Sequence, residues 1–192
     1  MGGSRTVKTL MALLAAMTLG ALALMVLETE PIRPTAQPLV VLSPRPVGAA
    51  RVIFGTRVPV QAVQWRYIVV HASSGRRSRP ARRCHFLVEG GAEGTWRVTA
   101  TDAWLDQRAG GHIGGFWRDS SIGICVIGDF SRRRPERGQF ASLVDLVNTL
   151  QEVCKISADR IYLHSDLVAG SSSPGAAFPA EEFSARLLHS QR

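Results

Sequence analysis

Cysteine is scarce: Cys84, Cys125 and Cys154 are the only three, so at most one bridge can form and a disulfide framework is excluded. Acidic residues number 15 against 23 lysines and arginines, and charged residues are only 20% of the 192-residue chain, which excludes a disordered polyelectrolyte. Hydrophobic residues, at 45%, are enough to build the core of one domain. Charge is absent altogether from TLMALLAAMTLGALALMVL, residues 9–27. Nineteen residues in a helix rising about 1.5 Å each nearly cross a hydrocarbon layer about 30 Å thick. Arg5 and Lys8 precede the run and Glu28 and Glu30 follow it, so the positive-inside bias places the rest of the chain outside the cytoplasm. A signal peptide cleaved at an A-x-A-like site around Ala21 and Ala23 is the alternative, and it also exports the chain.

Export gives meaning to the net charge of +8. An exported basic surface favours anionic wall polymers, carboxylate-bearing peptides or lipid headgroups and leaves nucleic acid without a role, while plain solubility explains charges that are merely scattered. Residues 28–50 are rich in proline, including Pro31, Pro34 and Pro38, and predict an extended linker. The expected division is a cytoplasmic segment 1–8, a span 9–27, the linker 28–50 and one domain over 51–192.

Within that domain WRYIVVH (65–71) predicts a buried strand ending at His71. HFLVEGG (85–91) and TWRVTA (95–100) predict a hairpin through the Gly90 to Gly94 turn, and SIGICVIGDF (121–130) another central strand. Apolar residues recur at helical spacing from Gln139 to Cys154. RIYLH (160–164) predicts a strand ending at His164, and a closing helix begins near Pro179. This alternation predicts an α/β fold: a single domain with a mixed central β-sheet covered by helices. Two histidines at the ends of buried strands stand where such sheets place their ligands. Cys125 and Cys154 lie in apolar contexts that suit small core residues.

Taken in order, WRYIVVHAS, CHFLV, GGHIGG, SIGICVIGDF, SLVDLVNTL, RIYLHSD and SPGAAFP resemble the zinc-dependent N-acetylmuramoyl-L-alanine amidases of the amidase-2 type, a family that includes the peptidoglycan recognition proteins. The resemblance covers roughly residues 63–188. It implies a zinc ion held by two histidines and a cysteine or aspartate, with one tetrahedral position open for a water whose pKa falls to about 7. His71 matches the first histidine ligand and His164 the second. At the third-ligand position stands Ser173, a neutral hydroxyl without the charge or softness of a thiolate. Ser171 stands where some members carry a catalytic lysine, and Cys84 where a tyrosine precedes His85 and Phe86. Only twelve residues, five of them arginines, separate His71 from Cys84, so the helix that relatives place there is expected to be replaced by a basic loop.

Two ligand sets remain open: a degenerate pair of histidines, or a rearranged trio of His71, Cys84 and His164, with Cys84 otherwise a free thiol. His112, among glycines that permit close approach of a ligand, is a candidate for the substrate groove together with Cys84, His85 and Ser171. Asp166 either orients a histidine or caps a turn. Two arginine clusters, at Arg76, Arg77, Arg79, Arg82 and Arg83 and at Arg132, Arg133, Arg134 and Arg137, suit carboxylates if they flank one groove. The expected function is a membrane-tethered domain that binds muropeptide in peptidoglycan with little or no hydrolysis. The alternatives are an active zinc amidase cleaving the lactyl–L-alanine amide and an envelope structural protein without glycan binding.

Overall fold

A computed structural model describes residues 3–27, 47–73, 81–90 and 95–189, with backbone alone for 3–6, 20–27, 47 and 82. Most of the expected linker, Arg76, Arg77 and Arg79, and the tip of the expected hairpin lie outside the described residues. The chain divides into two compact units, Met1–Ser43 and Pro44–Arg192. The first holds helix α1 (Gly3–Leu27), within which Thr18 Oγ1 donates to the Leu14 carbonyl at 3.0 Å. The expected span 9–27 falls inside α1. Among the described residues no helix is long and apolar enough to cross a membrane.

In the second unit, α2 (Val47–Phe54) straddles the expected domain start near Arg51, because its Ile53 is fully buried and its Ile53 carbonyl accepts the Trp104 indole N–H at 3.0 Å. Five strands follow: β1 (Tyr67–Ser73), β2 (Phe86–Gly90), β3 (Trp96–Ala100), β4 (Ser121–Ile127) and β5 (Ile161–Leu163). Their order is β3-β2-β4-β1-β5, with β3 antiparallel to β2 and every other pairing parallel. The mixed sheet and the hairpin pairing are therefore as the alternation of the sequence predicts. β1 runs two residues beyond His71.

Register separates the two faces. Ile68 and Val70 of β1 and Ile122, Ile124 and Val126 of β4 join the main core with Leu143, Leu146, Val147 and Leu150 of α4 (Arg137–Cys154). Burying such an aliphatic side chain contributes about 1.5–3 kcal/mol. Gln139 secures α4 to the sheet, its buried amide donating to the carbonyls of Val88 at 3.1 Å and Ile127 at 2.8 Å. Lys155, left-handed at φ 57°, ends that helix. On the other face the alternate residues are Tyr67, Val69 and His71 beside Ser121, Gly123 and Cys125. A 3-10 turn (Ala81–Arg83), the loop through residues 110–118 and α5 (His164–Leu167) border that face, α3 (Asp102–Leu105) buries Trp104 in the main core, and α6 (Ala180–Ala185), begun after Pro179, closes the chain.

Candidate functional site

His71 and His164 meet, their ring centroids 4.4 Å apart. β1 delivers the first, and the chain leaving β5 delivers the second as the opening residue of α5. His71 is 5% exposed, and its Nε2 has no hydrogen-bond partner among the described residues. His164 is half-buried, and its Nδ1 lies 2.7 Å from Ser171 Oγ. Ser171 Oγ also accepts the Ser173 N–H at 3.3 Å, which leaves the hydroxyl proton of Ser171 for His164. Ser173 Oγ accepts the Ala72 N–H at 2.9 Å, so the position where the resemblance implies a metal ligand ties the closing turn to β1 instead. Asp166 accepts the Leu163 N–H at 2.8 Å and caps the turn into α5.

Behind this pair lie two further imidazoles. His112 Nε2 donates to Ser121 Oγ at 2.9 Å, because the Ser121 hydroxyl gives its own proton to the Trp117 carbonyl at 2.6 Å. His85 Nδ1 accepts the Gly123 N–H at 2.9 Å, leaving Nε2 to donate to the Arg108 carbonyl at 3.0 Å. His85 packs edge-on to Trp65 at 4.8 Å and is fully buried with both nitrogens satisfied. It holds the fold together and offers no surface to a substrate, which corrects its place in the expected groove. Burial lowers the pKa of His71 to about 3, helped by the nearby His164. Burial likewise lowers His85 to about 4, and lowers His112 to about 2 with the help of His85 and His71. His164 is lowered by burial too. The cluster is accordingly neutral near pH 7.

Cys84 is disulfide-bonded to Cys125 and both are fully buried. This corrects two expectations at once: Cys84 supplies no thiolate for a rearranged ligand trio, and it does not line a substrate groove. Cys154 is the free, buried thiol, its pKa pushed up to about 12 by burial.

The glycines serve the histidines. An added Cβ at Gly123 would stand 2.3 Å from His112 Cγ, and one at Gly110 would stand 2.5 Å from His112 Nδ1. Close approach here is between parts of the chain, where the sequence pattern had offered it to a ligand. Gly123→Ala is expected to destabilise the domain by about 1–3 kcal/mol through overpacking, read as a lower urea midpoint with unchanged m-value.

A cavity of about 420 Å³ is lined by His71, Ala72, His112, His164 and Ser173, with Arg83 at its edge. A neighbouring cavity of about 670 Å³ shares Arg83, His112 and His164 and adds Arg118 and Val168, so the two make one groove. Among the described residues no carboxylate lines either cavity, and Arg83 and Arg118 are exposed and free of ion pairs. Arg83 comes from the first arginine cluster. The second lies elsewhere: Arg134 pairs with Glu182 at 2.5 Å, and none of Arg132, Arg133, Arg134 and Arg137 borders the groove. Arg118 was not legible in the sequence, nor was Phe116, 73% exposed and edge-on to Trp117 at 5.6 Å.

The donors present do not fit a tightly held zinc ion. Two neutral imidazoles, one engaged by Ser171, face neutral hydroxyls, whereas stable zinc sites need three or four good donors. Among the described residues no three of His, Cys, Asp and Glu are grouped to hold a metal.

Residues 61–176 match the Amidase_2 family, described as N-acetylmuramoyl-L-alanine amidase. No curated protein matches the chain. Among solved structures, the endolysin N-acetylmuramoyl-L-alanine amidase LysCS of Clostridium intestinale is similar at 20% identity and TM-score 0.54, over 65% of this chain and 84% of that one. AmpDh3 of Pseudomonas aeruginosa, in complex with an anhydromuramic pentapeptide, is similar at 24% identity and TM-score 0.52, over 64% of this chain and 60% of that one. AmiD of Escherichia coli, bound to anhydro-N-acetylmuramic acid-L-Ala-D-gamma-Glu-L-Lys, is similar at 18% identity and TM-score 0.54, over 70% and 62%. At these identities the likeness establishes a shared fold.

Proposed function

Since the chain belongs to the Amidase_2 family of N-acetylmuramoyl-L-alanine amidases, we propose that it is a peptidoglycan-directed domain that binds muropeptide in the groove beside His71 and His164 with little or no hydrolysis. The observation that carries this reading is the donor set. Ser173 and Ser171 take the positions where the family resemblance implies an anionic metal ligand and a catalytic lysine, and both hydroxyls are committed to hydrogen bonds within the chain. Without a charged third ligand there is no Lewis acid to polarise the amide and no acidified water to attack it.

Binding needs none of these. Arg83 and Arg118 offer guanidinium groups to a ligand rich in carboxylates, and among the described residues no acidic side chain lines the groove to oppose it. AmpDh3 and AmiD hold muropeptides, which gives the same class of ligand to a groove on the same fold. Residues 9–27, uncharged and preceded by Arg5 and Lys8, would direct export of the domain to the extracytoplasmic side of the cell membrane.

The rival is a zinc amidase, favoured by the unpartnered Nε2 of His71 inside the cavity. One experiment separates the readings: incubate the purified full chain with purified sacculi, measure the bound fraction by sedimentation, the released stem peptide by chromatography and the metal content by mass spectrometry. Sedimentation without release and without stoichiometric zinc is the expected result. Release of free stem peptide by a zinc-loaded chain would overturn it, and failure to sediment would leave an envelope structural role.

A further inference from the structure

Cys84 and Cys125 are joined across 41 residues of sequence. Cys125 lies on β4 directly beside His71 in the register of β1 and β4, and Cys84 follows the 3-10 turn Ala81–Arg83. With Ala81 and Leu87 they form a small buried cluster separate from the main core, with Ile127 packed at its edge. Four buried residues provide little apolar area to hold a turn against a sheet, so the covalent bond adds to the two hydrogen bonds beside it, from Thr101 Oγ1 to the Cys84 carbonyl at 2.7 Å and from the His85 N–H to the Gly123 carbonyl at 2.7 Å.

What the turn presents to the groove is Arg83. The Arg83 carbonyl accepts the Gly111 N–H at 2.9 Å, and its aliphatic stem lies so close to Gly111 that a Cβ there would stand 3.2 Å from Cγ and Cδ. The Arg83 carbonyl would also lie 2.8 Å from a Cβ at Gly110, the residue packed against His112. The disulfide and these neighbouring hydrogen bonds together place Arg83, and Arg83 in turn supports the loop that carries His112. Arg83 borders both cavities of the groove.

Resting on the binding reading above, we propose that the Cys84–Cys125 disulfide is the positioning device of the groove, that Arg83 is the anion-recognising side chain it positions, and that muropeptide binding is therefore acquired only when this pair is oxidised. In forming the bond the two thiols give up two electrons and two protons to a disulfide oxidant, which leaves as a dithiol. Such oxidants belong to compartments outside the cytoplasm. A newly made, reduced chain then does not engage muropeptide on the cytoplasmic side.

The test is sedimentation of the full chain with purified sacculi over a range of sacculus concentrations, comparing the oxidised chain, the Cys84→Ala/Cys125→Ala variant and oxidised Arg83→Gln, each checked for native circular dichroism. Both variants are expected to bind about tenfold more weakly or worse, the scale of losing a charge-assisted contact. A folded double variant, or Arg83→Gln, binding within twofold of the oxidised chain would overturn the proposal. Should the double variant not fold, Arg83→Gln decides alone. No sedimentation of the oxidised chain removes the binding reading and this inference with it, whereas binding that ignores both changes removes only the inference.

Discussion

Ser173→Cys is expected to convert the groove into a stoichiometric zinc site. The Ser173 side chain already shares a cavity with His71 and His164, and its backbone carbonyl accepts the Ser165 N–H at 2.9 Å, so a thiolate at that position would enter a wall whose backbone stays tied down after the hydroxyl is lost. It would bring both the negative charge and the soft donor that the pocket lacks, and three protein ligands are the minimum of a catalytic zinc site. Affinity should rise by roughly three orders of magnitude or more, on the order of 4 kcal/mol at about 1.4 kcal/mol per tenfold. His164 must release Ser171 to bind metal through Nδ1, so Ser171→Ala in the same chain should tighten zinc further. The measurement is metal content after dialysis together with competition against a chromophoric chelator. If the parent chain already keeps one zinc through dialysis, the argument from donor chemistry is wrong.

Acid should unfold the domain well above the pH at which its carboxylates protonate. His71, His85 and His112 titrate at about 3, 4 and 2 in the folded chain, chiefly because burial penalises the charged ring. Unfolding restores each to about 6.5, so between pH 6.5 and roughly 4 the unfolded chain binds more protons than the folded one. The stability these rings contribute by staying neutral is complete above pH 6.5 and is lost as pH falls. Each ring costs about 1.4 kcal/mol per pH unit once its unfolded form is fully protonated, so the three together remove on the order of 5 kcal/mol between pH 7 and pH 5. A domain of this size has only about 5–15 kcal/mol in all. Urea unfolding at pH 8, 7, 6 and 5 measures the slope directly. A flat profile from pH 7 to pH 5 is incompatible with this buried neutral cluster.

Much of the scaffold was legible because it follows from spacing. The alternation of Ile68 and Val70 against Val69 and His71 fixes two faces of β1, and the repeat through Phe140, Leu143, Val147 and Leu150 fixes the buried side of α4. The meeting of His71 and His164 follows from two strand ends lying side by side. α2 was not legible, since Val47 and Ala49 stand directly behind the prolines of the linker and eight residues are too few to display a period. The disulfide escaped because Cys125 and Cys154 have equally apolar neighbours, and only the register of β2 on β4, with Leu87 opposite Cys125, brings Cys84 to one of them. His112 does border the groove, while His85, placed there only through the family resemblance, has nothing in its neighbours Cys84 and Phe86 to show that it is a core residue. Gly123, 38 residues from His85, settles it by donating its N–H to that ring.

The bond from Ala72 to Ser173 has one more consequence. A loop fastened to its neighbouring strand by an uncharged latch owes nothing to the supply of trace elements. Chelators should therefore leave its melting curve where they found it.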